Sequence, residues 1–356
     1  MVIRGRAPLR VSFGGGGTDV APFCEEQGGA IIGSTINKYA YCSIVPREDD
    51  QIVVHSLDFD MTVKYNTREN YVYDGKLDLV TAALKAMEIS QGCEVYLQCD
   101  APPGSGLGTS STVMVAMLTA MARWKGIMMD AYAMADLAYQ VERLDLKIDG
   151  GYQDQYAAAF GGFNFIEFHG RNNVVVNPLR IKKDIIHELQ YNLLLCYTGN
   201  IHVSANIIRD QVQNYEKKDA FEAMCEVKAL AYAMKDELLK GNLHSFGKLL
   251  DYGWKSKKRM SSKIPNPQID MLYDEAIKAG ALGGKLLGAG GGGYLLMYCP
   301  YNVRHKVAAR MEQAGGQLAD WNFELRGAQS WVADEERWKY DQVKVHMPNK
   351  IYTFDL

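Results

Sequence analysis

The sequence predicts an α+β protein built as two domains. Three observations carry that reading. The 356 residues exceed what one core holds at roughly 150 residues per domain. Apolar residues make up 47% of the chain, enough to fill two interiors. Segments with strand-like alternation are interspersed with segments of helical period throughout. The boundary falls in Ile181–Glu188, a bridge between the halves, giving domains 1–183 and 184–356.

Taken in order, apolar Val11–Phe13 enters a glycine run, and Ile31–Ile36 and the alternating Tyr39–Val45 follow it, so strands flank a loop. Asp78–Met87 has helical spacing. In CEVYLQC (Cys93–Cys99) apolar and polar residues alternate as on a half-buried strand, which Pro102 and Pro103 end. Val113, Met114, Met117, Leu118 and Met121 then recur at helical spacing, with Thr109, Ser110 or Ser111 as the amino-terminal cap. A second helix is expected over Tyr132–Leu144, a strand over Phe163–Phe168 and a turn over Gly170–Asn177. The second half opens with a strand at Tyr191–Tyr197. Helices follow around Ser204–Tyr215, Lys217–Lys240 and Leu243–Met260, then Gln268–Ala279 after Pro265 and Pro267. Gly283–Pro300 reads as strand, glycine turn, strand; a helix at Asn302–Ala314 and more sheet over Asp320–Val332 complete the pattern. There is no repeat of fixed period. Residues Asp334–Leu356 suggest no function.

Composition narrows the function classes. With 39 basic and 42 acidic residues, a net charge of −3 and no run of like charge at either end, neither a nucleic-acid partner nor a polybasic membrane anchor is expected. The purest apolar stretch, Val113–Ala122, is far short of the ~20 residues of a membrane span. The amino-terminal segment lacks the apolar core of ~7–15 residues that a secretory signal needs, so a cytoplasmic enzyme with small-molecule partners is expected, as monomer or homodimer. Seven scattered cysteines without Cys-x-x-Cys read as small core residues, and seven dispersed histidines give no structural metal site.

The glycines are informative. Of 34, 12 lie in three clusters: Gly14–Gly17, then Gly104, Gly106 and Gly108, then Gly288 with Gly290–Gly293. Such runs permit positive φ and close approach of backbone to a ligand. In PPGSGLGTSS (Pro102–Ser111) a strand, a glycine loop and a helix start aim amide N–H groups and a helix dipole at one point, which suits a phosphate. A P-loop is excluded because every Gly-Lys pair is followed by Leu. Gly288-x-Gly290-x-x-Gly293 formally matches a dinucleotide fingerprint, but Tyr294–Cys299 reads as a strand where that motif needs a helix. Protein-kinase signatures are missing.

Three motifs occur in order: APLRVSFGGGGTD (Ala7–Asp19), PPGSGLGTSS (Pro102–Ser111) and KLLGAGGGGYLL (Lys285–Leu296). With them the chain resembles the GHMP kinases, the superfamily of galactokinase, homoserine kinase, mevalonate kinase and phosphomevalonate kinase. The first motif, STINKY (Ser34–Tyr39) and GALGGKLLGAGGGG (Gly280–Gly293) most resemble its D-glycero-D-manno-heptose 7-phosphate kinases, with fucokinase-like enzymes as near relatives.

The resemblance implies a ribosomal-protein-like amino-terminal domain, a ferredoxin-like carboxy-terminal domain and a site between them that uses ATP and Mg2+. It assigns Pro103, Gly104, Ser105, Gly106, Leu107, Gly108, Thr109, Ser110 and Ser111 to ATP, and Ser110 with Glu142 to the metal. It makes Asp154 the base for the sugar hydroxyl with Arg10 beside it, and gives Gly16, Gly17, Thr18, Asp19, Gly290 and Gly291 to the sugar. A phosphorylated sugar needs a further cation: Lys38 is one candidate, and Lys255, Lys257, Lys258 and Arg259 of WKSKKR are the others, against the plain alternative of a solvated basic face. His202 stands where the resemblance leads one to expect arginine; it and Arg209 are next in line. Three alternatives stay open: a fucokinase- or galactokinase-like kinase of a free sugar, an ATP and sugar sensor without turnover, and a decarboxylase of a phosphorylated acid. Intact Arg10, Ser110, Glu142 and Asp154 argue against the sensor, and the sugar-type first motif against the decarboxylase.

Overall fold

The computed structural model describes residues 1–69, 71–170, 173–199, 204–333, 342–347 and 350–355. Its axis is β1 (Val2–Gly14), paired antiparallel with β2 (Gly29–Pro46) from Ile3↔Ile44 to Gly14↔Ile32. Around this pair the first half adds β3 (Gln51–Ser56), β4 (Met61–Asn66), β5 (Cys93–Cys99), β6 (Phe163–Phe168) and β7 (Val174–Pro178). All pairings are antiparallel except that of β3 with β5.

Helices α1 (Phe23–Glu26), α2 (Asp78–Ala86), α3 (Thr109–Lys125), α4 (Ala131–Tyr139) and α5 (Gln153–Phe160) belong to the same half. Every residue of α3 from Met114 to Ala122 is buried, which explains why that stretch is apolar on all sides. Its cap is Gly108, in the left-handed region at φ 78°, so Thr109, expected among the caps, is already helical. The helix expected over Tyr132–Leu144 divides into α4 and a π-helical turn, Gln140–Asp145. Within the expected turn Gly170–Asn177, the strand β7 begins at Val174.

The second half comprises α6 (Lys183–Asn192), β8 (Leu193–Tyr197), α7 (Ser204–Gln213), α8 (Lys218–Lys240), α9 (Leu243–Met260), α10 (Pro267–Lys278), β9 (Gly283–Leu286), β10 (Tyr294–Tyr298), α11 (Arg304–Gln313) and β11 (Gln317–Leu318). Its sheet has the order β11-β8-β10-β9, all antiparallel. The segment expected as further sheet forms β12 (Phe323–Glu324) and β13 (Gln329–Ala333), but both return to the first sheet, β12 on β2 and β13 on β1. The tail contributes a hairpin, β14 (Gln342–Met347) and β15 (Lys350–Asp355). Of the cysteines, Cys225 is exposed, contrary to expectation, and Cys99 is half-buried. Among the described residues no helix is long and apolar enough to cross a membrane.

One irregularity in β1 positions the site. Ile3 and Ala7 belong to the core beneath α3, whereas Leu9, Val11 and Phe13 belong to the core between the two sheets. All five are odd-numbered, so the strand must change face between them. It does so at a register shift between Pro8 and Arg10. A bulge inverts the alternation of side chains beyond it. Leu9, Val11 and Phe13 are thereby turned onto the second half, where Phe13 meets the Phe246 ring edge-on at 5.4 Å. Each such burial contributes about 1.5–3 kcal/mol. Arg10, between them, is sent to the opposite face.

Candidate active site

The three glycine motifs meet at one place. Arg10 N donates to the carbonyl of Leu107 (3.1 Å), and Tyr294 N donates to the carbonyl of Ser105 (3.1 Å), so the first and third motifs hold the second from either side. Gly106 has φ 81°, and a Cβ there would lie 2.4 Å from the carbonyl oxygen of Leu287. Gly108 has φ 78°, and a Cβ there would lie 3.1 Å from the carboxyl carbon of Asp154. At Gly106 the backbone admits no side chain, whereas at Gly108 one would be strained and would press on Asp154. The loop and the start of α3 open onto a cavity of about 160 Å3 lined by Gly104, Gly106, Gly108, Thr109, Ser110 and Ser111. Pro103, Ser105 and Leu107 are not on its wall: Ser105 and Leu107 are wholly buried, the leucine in the core between the sheets.

Arg10 and Asp154 stand together in this cavity. Arg10 Nε and Nη2 lie 2.7 and 2.6 Å from Asp154 Oδ1, and Nη1 donates to the carbonyl of Gly106 at 2.5 Å. Arg10 is 4% exposed. Such charge-assisted contacts fix both side chains, with Asp154 still 19% exposed in the cavity. Asp154 lies in the first turn of α5, and Asp19 reaches the same helix end, accepting from Gln153 N at 3.1 Å and from Gly17 N at 3.2 Å. Burial raises the pKa of Asp19 and the neighbouring Asp154 adds to this, while the backbone donors pull it back.

A second polar group lies at the mouth of α3. Glu142, wholly buried, sits on the π-helical turn. Its Oε1 accepts from Ser110 Oγ (2.7 Å) and lies 3.3 Å from Arg143 Nη1; its Oε2 accepts from Ser111 Oγ (2.6 Å) and Gln155 Nε2 (2.7 Å). The hard oxygens of Ser110 and Glu142, 2.7 Å apart, suit neighbouring positions around a small octahedral cation with ligands at about 2.0–2.1 Å. The pair therefore fits magnesium. Among the described residues no group of three or more His, Cys, Asp or Glu could hold a metal.

The acceptor-side expectations divide. Gly17 and Asp19 line the cavity, and Gly16 adjoins it, a Cβ there lying 3.7 Å from Lys257 Nζ. Thr18 does not face it: its hydroxyl donates to the carbonyls of Gly15 and Ala30 and accepts from Ala30 N, which closes the loop onto β2. Gly290 and Gly291 are also elsewhere, packed on Ile264, whose carbonyl accepts from Gly291 N at 2.8 Å; Gly288 and Ala289 line the cavity in their place.

Of the proposed phosphate cations only Lys257 reaches the cavity. Lys255 pairs with Asp251 at 2.6 Å, Lys258 with Asp270 at 3.4 Å, and Arg259 with Asp219 and Glu226, so these three belong to the outer face of α9. Lys38 is not on the cavity wall. Arg209 is not on the cavity wall but lies 2.8 Å from Asp149, which is, and His202 lies outside the described residues. Sequence reasoning missed Arg143, which bonds Ser111, and Gln153 and Gln155, which hold the two carboxylates. The only signal was adjacency: each neighbours Glu142 or Asp154.

Known proteins resemble this chain along most of its length. The GHMP kinases N terminal domain matches residues 70–162, and the GHMP kinases C terminal domain matches residues 234–317. D-glycero-alpha-D-manno-heptose 7-phosphate kinase of Campylobacter jejuni is 35% identical over 92% of this chain and 98% of its own. The chain belongs to the GHMP kinase family. As such it is a phosphotransferase with an alcohol group as acceptor. A D-glycero-D-manno-heptose 1-phosphate kinase from Bacteroides thetaiotaomicron superposes on this GHMP kinase with a TM-score of 0.79 at 33% identity, covering 93% of this chain and 99% of that one. The L-fucokinase/L-fucose-1-P guanylyltransferase of Bacteroides fragilis is 27% identical over 83% of this chain and 34% of its own length.

Proposed function

We propose that this GHMP kinase transfers the γ-phosphate of ATP to the anomeric hydroxyl of D-glycero-D-manno-heptose 7-phosphate, giving the 1,7-bisphosphate. The Arg10–Asp154 pair, which ties the first motif to α5 beside the Gly104–Thr109 loop, is the observation that carries it. The heptose assignment is supported by the 35% identity, over nearly both full lengths, to an enzyme named for that substrate.

In this reading amides of the Gly104–Thr109 loop hold the phosphates of ATP. Ser110 and Glu142 would hold magnesium, which supplies positive charge to the phosphate oxygens. Asp154 accepts the proton of the acceptor hydroxyl as that oxygen attacks the γ-phosphorus and ADP departs. Arg10 orients the carboxylate and meets the charge that develops. Asp19 orients an acceptor hydroxyl. Phosphoryl transfer is served mainly by such positioning and electrostatics.

Two related proteins are named for different phosphate positions, one a 7-phosphate kinase and the other a 1-phosphate kinase. A coupled ADP-release screen over heptose 7-phosphate, heptose 1-phosphate, free heptose, fucose, galactose, homoserine and mevalonate decides. The reading requires the greatest kcat/KM for heptose 7-phosphate. A larger value for fucose or galactose would transfer the assignment to a free-sugar kinase, and no turnover with any acceptor would favour the sensor.

A further inference from the structure

Lys257 differs from its neighbours on α9. Lys255, Lys258 and Arg259 meet carboxylates on the outer face, whereas Lys257 turns inward and is 5% exposed. Among the described residues it makes no ion pair; its ammonium group donates to the carbonyl of Gly288. An ammonium withdrawn from water onto a neutral carbonyl is costly unless an anion joins it.

Its position says which anion. The Lys257 ammonium touches Gly288 of the third motif and lies 3.7 Å from where a Cβ on Gly16 of the first would stand. Gly288 in turn packs on Gly106 of the second, its own Cβ position 2.6 Å from Gly106 Cα. One nitrogen thus marks the point where donor loop and acceptor loop meet. The groups facing it electrostatically are Arg10, Asp19 and Asp154, with Lys285 of β9 buried behind.

We infer that Lys257 is a further catalytic residue, whose ammonium group touches the phosphoryl group as it passes from donor to acceptor. The inference rests on the phosphoryl-transfer reading, and only its preference over a hold on the sugar's own phosphate uses the identity of the sugar. The bond from the γ-phosphorus to the ADP oxygen breaks, the bond to the acceptor oxygen forms, and the acceptor's proton goes to Asp154. Lys257 exchanges no proton; it balances charge on the transferring oxygens. A hold on the distal sugar phosphate fits its place poorly. That phosphate is at the far end of the sugar from the anomeric hydroxyl, while Lys257 is coupled to Asp154 and Arg10 at the reacting end.

Burial and Arg10 push the Lys257 pKa down to about 8, against the pull of Asp19 and Asp154. The ammonium is therefore charged below that pH and neutral above it. Activity that needs the charge falls on the alkaline side, and arginine, charged throughout, removes the fall.

Lys257→Met and Lys257→Arg are compared with the unaltered enzyme on whichever acceptor gives the greatest kcat/KM, so a wrong sugar assignment leaves the test intact. The expected result is a loss of ~10²–10³ in kcat for Lys257→Met, the usual worth of one stabilising donor, with the ATP Kd from titration calorimetry nearly unchanged. Lys257→Arg should retain part of kcat and move the alkaline decline of kcat/KM to higher pH. The inference is overturned if Lys257→Met raises KM for a phosphorylated acceptor and leaves kcat intact. A decline near pH 8 that persists in Lys257→Arg overturns it too. Should Lys257→Met fail to fold, as read by its thermal melt, the pH profile of Lys257→Arg decides.

Discussion

Two nitrogens of Arg10 converge on a single oxygen of Asp154, Nε at 2.7 Å and Nη2 at 2.6 Å from Oδ1. The other oxygen, Oδ2, lies 3.3 Å from the position a Cβ on Gly108 would take, toward the glycine loop of the second motif. The arginine fixes the carboxylate through one oxygen and leaves the second turned toward the cavity. If Asp154 is the base, Asp154→Asn should lower kcat by ~10²–10⁴ while the Kd for ATP stays nearly unchanged. Steady-state kinetics with titration calorimetry measure both. Full activity in this variant would falsify the assignment.

Ser110 and Glu142 differ in what else depends on them. The serine is exposed and among the described residues its hydroxyl bonds only Glu142, so Ser110→Ala should raise the magnesium concentration needed for half-maximal rate and leave stability nearly unchanged. Glu142 also accepts from Ser111 and Gln155 in a buried setting. Glu142→Gln should therefore raise the magnesium requirement and also lower Tm, since a buried network loses an acceptor at about 1–3 kcal/mol. Rate against magnesium concentration, with a thermal melt of each variant, separates the effects. An unchanged magnesium dependence in both variants would remove this pair from the metal site.

The elements that periodicity and glycine clusters mark were legible: the strand, loop and helix around PPGSGLGTSS, and the strands either side of the third motif. What stayed hidden depends on side-chain direction. The register shift that separates Arg10 from the Leu9, Val11 and Phe13 face leaves no mark on an odd-numbered apolar series. Lys257 is one of four basic residues in five on α9, and only the helix's rotation against the third motif sets it apart from Lys255 and Lys258. Thr18 and Gly290 sit in motifs whose backbone must turn, and there the turn itself occupies them.

Gly108 offers a test of the loop without touching a polar group. Its φ of 78° costs roughly 1–2 kcal/mol for alanine. The added methyl would also press on Asp154 at 3.1–3.4 Å. Gly108→Ala should thus lower Tm modestly and kcat more strongly, because the carboxylate is displaced from its place beside Arg10. A variant with lowered Tm and unaltered kcat would show that the loop tolerates the shift without moving Asp154.

Of the cations the sequence offered for the sugar's own phosphate, Arg209 remains, held beside the cavity by Asp149 of its wall. It lies on α7 with Ile208 and Gln211, which line the cavity, and its guanidinium is 61% exposed. Its partner Asp149, 2.8 Å away, lies on the segment leading to α5, so the pair spans the mouth of the site. A phosphate entering there would compete with Asp149 for the guanidinium. Arg209→Ala should remove a charge-assisted contact of about 1.5–3 kcal/mol, raising KM for heptose 7-phosphate roughly tenfold or more. KM for the unphosphorylated heptose should hardly change. Lys38→Ala, Lys255→Ala and Lys258→Ala should leave both values alone, since none of these residues lines the cavity, and Lys255 and Lys258 pair with Asp251 and Asp270 away from it. Asp149→Asn supplies the control: if Arg209 acts only by bracing the rim, this variant should impair both acceptors as Arg209→Ala does. If instead Arg209 binds the phosphate, freeing it from Asp149 should lower KM for the phosphorylated sugar alone.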